Sequence, residues 1–142
     1  MQLIIRTDGG SRGNPGPAAI GIVIENQTGC SLFEAGYFIG DTTNNVAEYR
    51  AILKGLEEAQ RLKGSILTIY CDSQLVVRQL IGQYRVKNPA MKTFHQQAMA
   101  QLKHFKSVTF HHVSREENEA ADALVNRALN LRTDVIELNT AG

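Results

Sequence analysis

The sequence predicts a mixed α/β domain: a five-stranded sheet, three antiparallel strands followed by two parallel strands, flanked by helices. Three observations predict this class. The first third of the chain consists of short β-prone runs, two of these runs are joined by a four-residue hairpin segment, and the later β-prone runs alternate with helical periodicity. The 142 residues, 43% of them hydrophobic and 20% charged, suit a single domain.

The first three strands are separated by turn residues. The first run ends at Asp8, and the glycine- and proline-rich stretch 9–17 is expected to be a turn or loop. Residues 26–29 form the hairpin connection that makes the second and third strands antiparallel neighbours. The predicted strands cover residues 3–7, 18–25, 32–39, 65–71 and 107–113.

Capping residues and periodicity define the helices. Thr42 or Thr43 offers an N-cap to the first helix, Asp72 could cap the second, and Pro89 opens the third. The predicted helices cover residues 43–62, 73–81, 89–105 and 116–131. We expect one catalytic domain over residues 1–131, and residues 132–142 to be a C-terminal tail that either frays or adds an edge element.

Composition excludes several classes of protein. The net charge of +1 decides nothing about a nucleic-acid partner, because a local basic patch can lie within a neutral total. Cys30 and Cys71 are too few for a disulfide framework and show no metal-binding spacing, so we expect buried or idle thiols. The apolar run 18–24 is too short to span a membrane and residues 1–6 are too short for a secretory signal. We therefore expect a cytoplasmic monomer without a membrane partner.

Four acidic residues occupy unusual positions in this predicted fold. Glu48 falls within the apolar face of the first long helix, where no Lys or Arg of that helix can neutralise it. Asp122 lies at the edge of the apolar stripe of the last helix. Asp8 and Asp72 each follow directly on a strand, at the sheet edge where α/β proteins gather their ligands. All four carboxylates could therefore converge.

Each acid has a simpler interpretation when taken alone. Asp8 can be a turn residue before its glycines, Asp72 a helix cap, Asp122 a solvated charge, and Glu48 the partner of a distant arginine. Four converging carboxylates would repel one another, however, and this arrangement is understandable chiefly around divalent metal ions. Oxygen ligands without a Cys or His motif favour magnesium or manganese over zinc. Two such ions indicate phosphoryl transfer.

Four segments of the sequence resemble type 1 ribonuclease H, a family that cleaves the RNA strand of RNA/DNA hybrids. The segments are IIRTDGGSRGNPGPAAIG, TTNNVAEYRAILKGLEEA, LTIYCDSQLVVRQL and VSREENEAADALVNRA, and they extend from Ile4 to about Ala128. The resemblance implies the ribonuclease H-like fold and two magnesium ions, with manganese as a substitute. The metal-binding residues that it implies are Asp8, Gly9, Glu48, Asp72 and Asp122.

The resemblance also implies a set of contacts to the hybrid. The expected substrate-binding residues are Gly9, Ser11, Arg12, Asn14, Thr43, Asn44 and Gln74. Their chemistry suits this role, because glycine lets the backbone approach a strand, a helix N-terminus offers donors to phosphate, and amides can recognise a 2′-hydroxyl. The simpler alternative is that these residues only turn the chain and cap the helix.

Two features depart from the family pattern. Many members carry a basic protrusion after the third acid, whereas this chain passes almost directly from residue 81 to Pro89. We therefore expect binding to depend on scattered cations and to be sensitive to salt; these cations are Arg78, Arg85, Lys87 and Lys92. Many members also place a histidine in the loop before the last acid. Here we favour Arg115 over His112 as the residue that assists catalysis, since residues 111 and 112 are expected to be histidines at the end of a strand.

The sequence thus predicts an endonuclease that hydrolyses the RNA strand of RNA/DNA hybrids with two metal ions, leaving 5′-phosphate and 3′-hydroxyl ends. Its catalytic residues would be the four acids and Arg115. Duplex RNA and RNA–DNA junctions are further candidate substrates. Two alternatives stay open: a DNA nuclease or resolvase of related fold, and a non-catalytic hybrid-binding module.

Overall fold

The computed structural model describes residues 1–138 as one six-stranded sheet with helices packed against it. The strands are β1 (Gln2–Ser11), β2 (Gly16–Asn26), β3 (Ser31–Thr42), β4 (Ile66–Cys71), β5 (Ser107–His112) and β6 (Val135–Leu138). The helices are α1 (Asn44–Arg61), α2 (Gln74–Leu80), α3 (Pro89–Leu102) and α4 (Glu119–Leu131), the last preceded by a single 3₁₀ turn at Glu116–Asn118.

The predicted topology is confirmed. The strand order is β5-β4-β1-β2-β3-β6, with β1, β2 and β3 antiparallel and with β4 parallel to both β1 and β5. The sixth strand is the addition that the sequence left undecided: Val135–Leu138 pairs antiparallel with β3 at the edge of the sheet. Residues 139–142 of the predicted tail lie outside the described residues.

The prediction that residues 9–17 form only a turn or loop is wrong. β1 continues through Ser11 and β2 begins at Gly16, so that only residues 12–15 turn the chain. The glycines serve close packing instead. A β-carbon at Gly9 would lie 2.3 Å from the carbonyl carbon of Ala47, and one at Gly16 would lie 2.2 Å from the carbonyl oxygen of Arg12. Asp8 consequently lies inside a long strand, opposite Gly21 of β2.

Helix packing follows the apolar patterns in the sequence. α1 packs against β1 and β2 through a face that includes the fully buried Tyr49, Ile52 and Leu56. α4 packs against β2 and β3 through Leu124 and its apolar neighbours. Within residues 1–138, no helix is long and apolar enough to cross a membrane.

The caps of α1 and α2 determine how two of the acids are presented. The Thr43 hydroxyl accepts a hydrogen bond from the backbone N–H of Val46 at 3.3 Å, which fixes the start of α1. At α2 the cap is Ser73, whose hydroxyl accepts from the N–H of Val76 at 3.3 Å. Asp72 is therefore not the cap that its position suggested, and its carboxylate is available for another role.

Candidate active site

Asp8 and Asp72 lie where the parallel pairing of β1 and β4 ends. The last pair in that ladder is Thr7 with Cys71, and each acid is the next residue of its chain. Strands that run parallel bring their carboxyl ends to the same sheet edge, so the two carboxylates are neighbours. The topology thus places two of the predicted acids together.

Glu48 reaches the same place from α1. Its side chain is 3% exposed, on the face of the helix that packs against the sheet. Carboxylate Oε1 accepts a hydrogen bond from the backbone N–H of Gly9 at 2.6 Å, and the thiol of Cys71 donates to Oε2 at 3.5 Å. Because Gly9 has no β-carbon, β1 can approach α1 closely enough for this short bond.

Asp122 completes the group from α4. It is half-buried at the edge of the helix's apolar stripe, and the side-chain amide of Asn126, one turn later, donates to its Oδ2 at 3.3 Å. Asp122 borders the same depression as Asp8, and a hydrogen bond from its side chain is one of the smaller causes that raise the pKa of Asp8. All four predicted acids are therefore brought together by four separate elements.

The electrostatics of this cluster are unfavourable without a cation. Burial raises the pKa of Asp8, which is only 6% exposed, and the negative charges of Glu48 and Asp72 raise it further. Burial also raises the pKa of Glu48, with Asp72 as the next cause, while the Gly9 N–H partly opposes the shift. Within residues 1–138, every salt bridge involves other acids. The cluster is an excess of negative charge.

Two adjoining depressions expose the acids to solvent. Asp8, Glu48 and Asp72 border the first, and Asp8 and Asp122 border the second. Arg115, in the connection between β5 and α4, borders both. His112 borders neither of these two depressions; it ends β5, opposite Cys71 in the parallel ladder. The geometry therefore brings Arg115, rather than His112, to the acids.

Four of the seven predicted substrate-binding residues border the depressions that hold the acids, and three do not. The backbone N–H of Ser11 donates to Asn44 Oδ1 at 3.2 Å, and the N–H of Asn44 donates to Asn14 Oδ1 at 3.0 Å. These bonds join the 12–15 turn to the start of α1, and Gly9, Ser11, Arg12 and Asn44 border the second depression. Gln74 is exposed at the first position of α2 and borders neither depression.

Arg12 and Thr43 have partners of their own in this region. The Arg12 guanidinium donates to Asn130 Oδ1 at the end of α4, at 2.6 Å. The Thr43 hydroxyl is engaged as the α1 cap, as described above. The turn is thus anchored on one side to α1 and on the other to α4, the two helices that carry Glu48 and Asp122.

The donor set fits a hard divalent cation. Single ligand atoms of Glu48, Cys71 and Asp72 all lie within 4.8 Å of one another, and Asp8 adjoins them. Burial, followed by the charge of Glu48, raises the pKa of the Cys71 thiol well above its ordinary value, so the sulfur is a protonated donor rather than a thiolate ligand. Carboxylate oxygens remain, which suits magnesium or manganese.

Sequence reasoning missed three residues that support the acids. Cys71 was expected to be a buried or idle thiol; it is buried, and it also contacts Glu48. Asn126 follows Asp122 by one helical turn, a spacing that could have indicated their hydrogen bond. Asn118 is fully buried at the start of α4, where its side-chain amide donates to the Thr7 carbonyl at 2.8 Å and ties α4 to β1. No pattern in one sequence indicates that long-range bond.

The predicted cations lie away from the acids, around α2 and α3. Arg85 and Lys92 border a cavity of about 410 Å³ together with Tyr84 and His95. Arg78 donates to the Tyr84 hydroxyl at 2.8 Å and lies over its ring. The connection between α2 and α3 contains no further helix, in agreement with the expectation that a basic protrusion is missing.

Comparisons with known proteins agree on one family. A model of the family described as reverse transcriptase-like matches residues 6–128. The chain is 40% identical to a bifunctional protein of Mycobacterium tuberculosis over 131 residues, 92% of this chain but 36% of the relative. It is 42% identical to Ribonuclease HI of Halobacterium salinarum over 123 residues, 87% of this chain and 62% of the relative. It thus spans about a third to three fifths of the length of these relatives.

The fold is also similar to a solved structure over nearly the whole length of both chains. LC11-RNase H1, crystallised in complex with an RNA/DNA hybrid, superposes with a TM-score of 0.88 at 41% identity, covering 92% of this chain and 98% of the other.

Proposed function

The chain belongs to the type 1 ribonuclease H family, within the reverse transcriptase-like group, and we propose that it hydrolyses the RNA strand of RNA/DNA hybrids as a metal-dependent endonuclease. The proposal includes cleavage that leaves 5′-phosphate and 3′-hydroxyl ends, with Mg²⁺ as the metal and Mn²⁺ as a substitute. LC11-RNase H1 in complex with a hybrid supports this substrate.

The observation that carries the proposal is the excess of negative charge around Asp8. Four carboxylates from β1, α1, α4 and the end of β4 line two adjoining depressions around Asp8, where burial and the neighbouring carboxylates raise the pKa values of Asp8 and Glu48. A purely structural role would favour a neutralising Lys or Arg, or apolar residues of similar volume. Strong acceptors collected without such a partner suit the binding of cations.

Two divalent ions would be held by the four carboxylates of Asp8, Glu48, Asp72 and Asp122. Such ions, when bound, would activate a water and stabilise the leaving 3′ oxygen of a phosphodiester. Gly9 and Cys71 fix the orientation of Glu48 through their hydrogen bonds. Arg115, which borders both depressions, would orient the scissile phosphate through its planar guanidinium. Arginine stays charged at neutral pH and would not serve as the general base.

Hybrid recognition is assigned to two regions. The first is the anchored 12–15 turn with the start of α1, where Asn44 borders the acids and Asn14 accepts a hydrogen bond from the Asn44 N–H. The second is the cationic region around α2 and α3, including Arg85 and Lys92. Since few cations are available, binding should be weak, and it should weaken further as salt rises.

The test is cleavage of a uniformly labelled RNA/DNA hybrid in Mg²⁺, with single-stranded RNA, duplex RNA, duplex DNA and an RNA–DNA junction as parallel substrates. We expect internal cuts in the hybrid RNA with 5′-phosphate ends, and none with Asp8→Asn. An intact hybrid after prolonged incubation in both Mg²⁺ and Mn²⁺ would refute the proposal. Cleavage of duplex DNA alone would establish the DNA nuclease alternative, and tight hybrid binding without turnover would establish the binding-module alternative.

The same experiment decides whether duplex RNA and junctions are substrates. The cytoplasmic location and the monomeric state stay predictions from the sequence.

A further inference from the structure

Cys71 belongs to the hydrophobic core and also makes polar contacts beside the acids. It is the last residue of β4, fully buried, and directly precedes Asp72. Its sulfur lies 3.5 Å from Glu48 Oε2, and the backbone N–H of Ser73 donates to the same sulfur at 3.4 Å. One side chain therefore connects Glu48 on α1 to the chain on the far side of Asp72.

Besides its hydrogen bond with the Asp8 side chain, the carboxylate of Glu48 has one further donor on each oxygen. Gly9 N–H holds Oε1, and the Cys71 S–H holds Oε2. With two separate donors from β1 and β4, rotation of the carboxylate about its terminal torsion is restricted. Alanine or valine at residue 71 would leave Oε2 without this donor, and valine would still fill the buried space there.

We propose that Cys71 is a positioning residue, whose thiol orients the Glu48 carboxylate for binding of the divalent cation. The inference rests on the proposed function for its biological meaning, although the contact itself is independent of the substrate. Groups that orient metal ligands by hydrogen bonding contribute to affinity without touching the ion. Cys71 acts through Glu48 in this way.

The test compares Cys71→Ala, Cys71→Val and Cys71→Ser with the wild-type protein. Mg²⁺ is titrated into ¹⁵N-labelled protein without nucleic acid, and the dissociation constant is taken from the amide shifts of Gly9 and Ser73. Loss of an orienting group costs on the order of tenfold in metal affinity, so we expect Cys71→Ala and Cys71→Val to raise the dissociation constant about tenfold. Cys71→Ser keeps an O–H donor and should stay within about threefold of wild type.

Cys30→Ala provides the matched control. Cys30 is exposed beyond β2, in the hairpin connection to β3, and its removal should leave Mg²⁺ binding unchanged. Far-ultraviolet circular dichroism and thermal unfolding in EDTA establish that each variant folds. The Mg²⁺ concentration for half-maximal hybrid cleavage should rise with the dissociation constant, while kcat at saturating Mg²⁺ stays within about threefold.

The outcomes separate this inference from the proposed function. Unchanged Mg²⁺ affinity in folded Cys71→Ala and Cys71→Val would refute it, and so would a Cys71→Ser variant as weak as Cys71→Ala. Should Cys71→Ala fail to fold, the Ser and Val pair decides by the same criterion. A wild-type protein that binds Mg²⁺ through Cys71-dependent geometry but leaves the hybrid intact would overturn the proposed function and support the role of Cys71.

Discussion

The four acids form two unlike pairs. Asp8 and Glu48 lie at the contact of β1 with α1, 6% and 3% exposed, and their pKa values are raised by burial and by neighbouring carboxylates. Asp72 and Asp122 are half-buried at the rim, just after β4 and at the edge of α4. The inner pair is fixed by the packing of the fold, whereas the outer pair is held by fewer neighbours and faces solvent.

The two pairs differ in how strongly the repulsion between their charges destabilises the folded protein. Charges at the rim retain water, so their mutual repulsion is screened. Charges in the interior lose that screening and destabilise the folded protein until a cation binds. The inner pair should therefore have the larger influence on both activity and stability, in opposite directions.

The largest expected effect is the difference in activity between a variant that lacks one inner carboxylate and a variant that lacks one outer carboxylate. We expect Asp8→Asn to lower kcat/KM at least about a thousandfold, equivalent to roughly 4 kcal/mol, since metal ligation supplies several kcal/mol of transition-state stabilisation. Asp122→Asn keeps an oxygen ligand at a site with room to adjust, and should lose about tenfold to a hundredfold. Initial rates on a labelled hybrid at saturating Mg²⁺ measure both. Equal losses would show that burial does not distinguish the pairs.

The close approach of β1 to α1 can be tested by adding one methyl group. At Gly9 a β-carbon would lie 2.3 Å from the Ala47 carbonyl carbon, so we expect Gly9→Ala to force the elements apart and destabilise the fold by about 3 kcal/mol. Gly10→Ala is the matched control, because its nearest neighbour would be 3.7 Å away. Urea unfolding in EDTA measures both variants. A Gly9→Ala protein as stable as Gly10→Ala would contradict the rigid backbone contact described here.

The pH dependence of stability in EDTA should report the inner pair directly. A carboxyl group whose folded pKa is raised keeps its proton after the unfolded chain has lost it, so stability is full below about pH 4 and falls as pH rises towards the folded pKa. We expect thermal stability to decrease between pH 5 and pH 8. Asp8→Asn should remove most of this decrease and stabilise the protein by roughly 2 kcal/mol at pH 8.

Two further measurements make this prediction specific. Asp41→Asn, at an exposed acid on β3, should leave the slope of stability against pH unchanged. Saturating Mg²⁺ should flatten the slope of the wild-type protein, because a bound cation favours the ionised carboxylates. Stability of the wild type that rises from pH 5 to pH 8 in EDTA would contradict the electrostatics of the site.

The order of elements could be predicted because hydrophobic periodicity and turn residues are local signals. The bounds of β1 could not be predicted from such local signals. Gly9, Gly10 and Ser11 have the composition of a turn, and only the three-dimensional contact of Gly9 with Ala47 shows that they extend a strand. β6 was undecided for a related reason: four residues at a sheet edge carry too short a pattern, and their pairing with β3 is a long-range interaction.

The acids were individually visible in the sequence because each broke a local pattern, Glu48 most clearly as a charge on an apolar helix face. The residues that hold these acids in place through hydrogen bonds were not visible in the sequence. Cys71 fits a buried strand as an ordinary apolar residue, and its bond to Glu48 joins residues that are 23 positions apart. Asn118 and Thr7 are 111 positions apart. Interactions of this range depend on the packed structure, which one sequence does not show.

The smallest expected effect on activity is at the rim of the site, in a comparison of Arg115 with His112. Arg115 borders both depressions and His112 borders neither. We expect Arg115→Ala to lower kcat/KM about tenfold, near 1.4 kcal/mol, through loss of a phosphate-orienting cation. Arg115→Lys keeps the charge without the planar fork and should recover part of the loss. His112→Ala should stay within about twofold, because it removes no group from the depressions. Rates on the labelled hybrid at 50 and 200 mM salt separate a binding effect, in which the difference between variant and wild type shrinks as salt rises, from an orienting effect, in which it does not change. A larger loss in His112→Ala than in Arg115→Ala would reverse the assignment and show that the end of β5, rather than the segment leading into α4, serves the outer pair of acids.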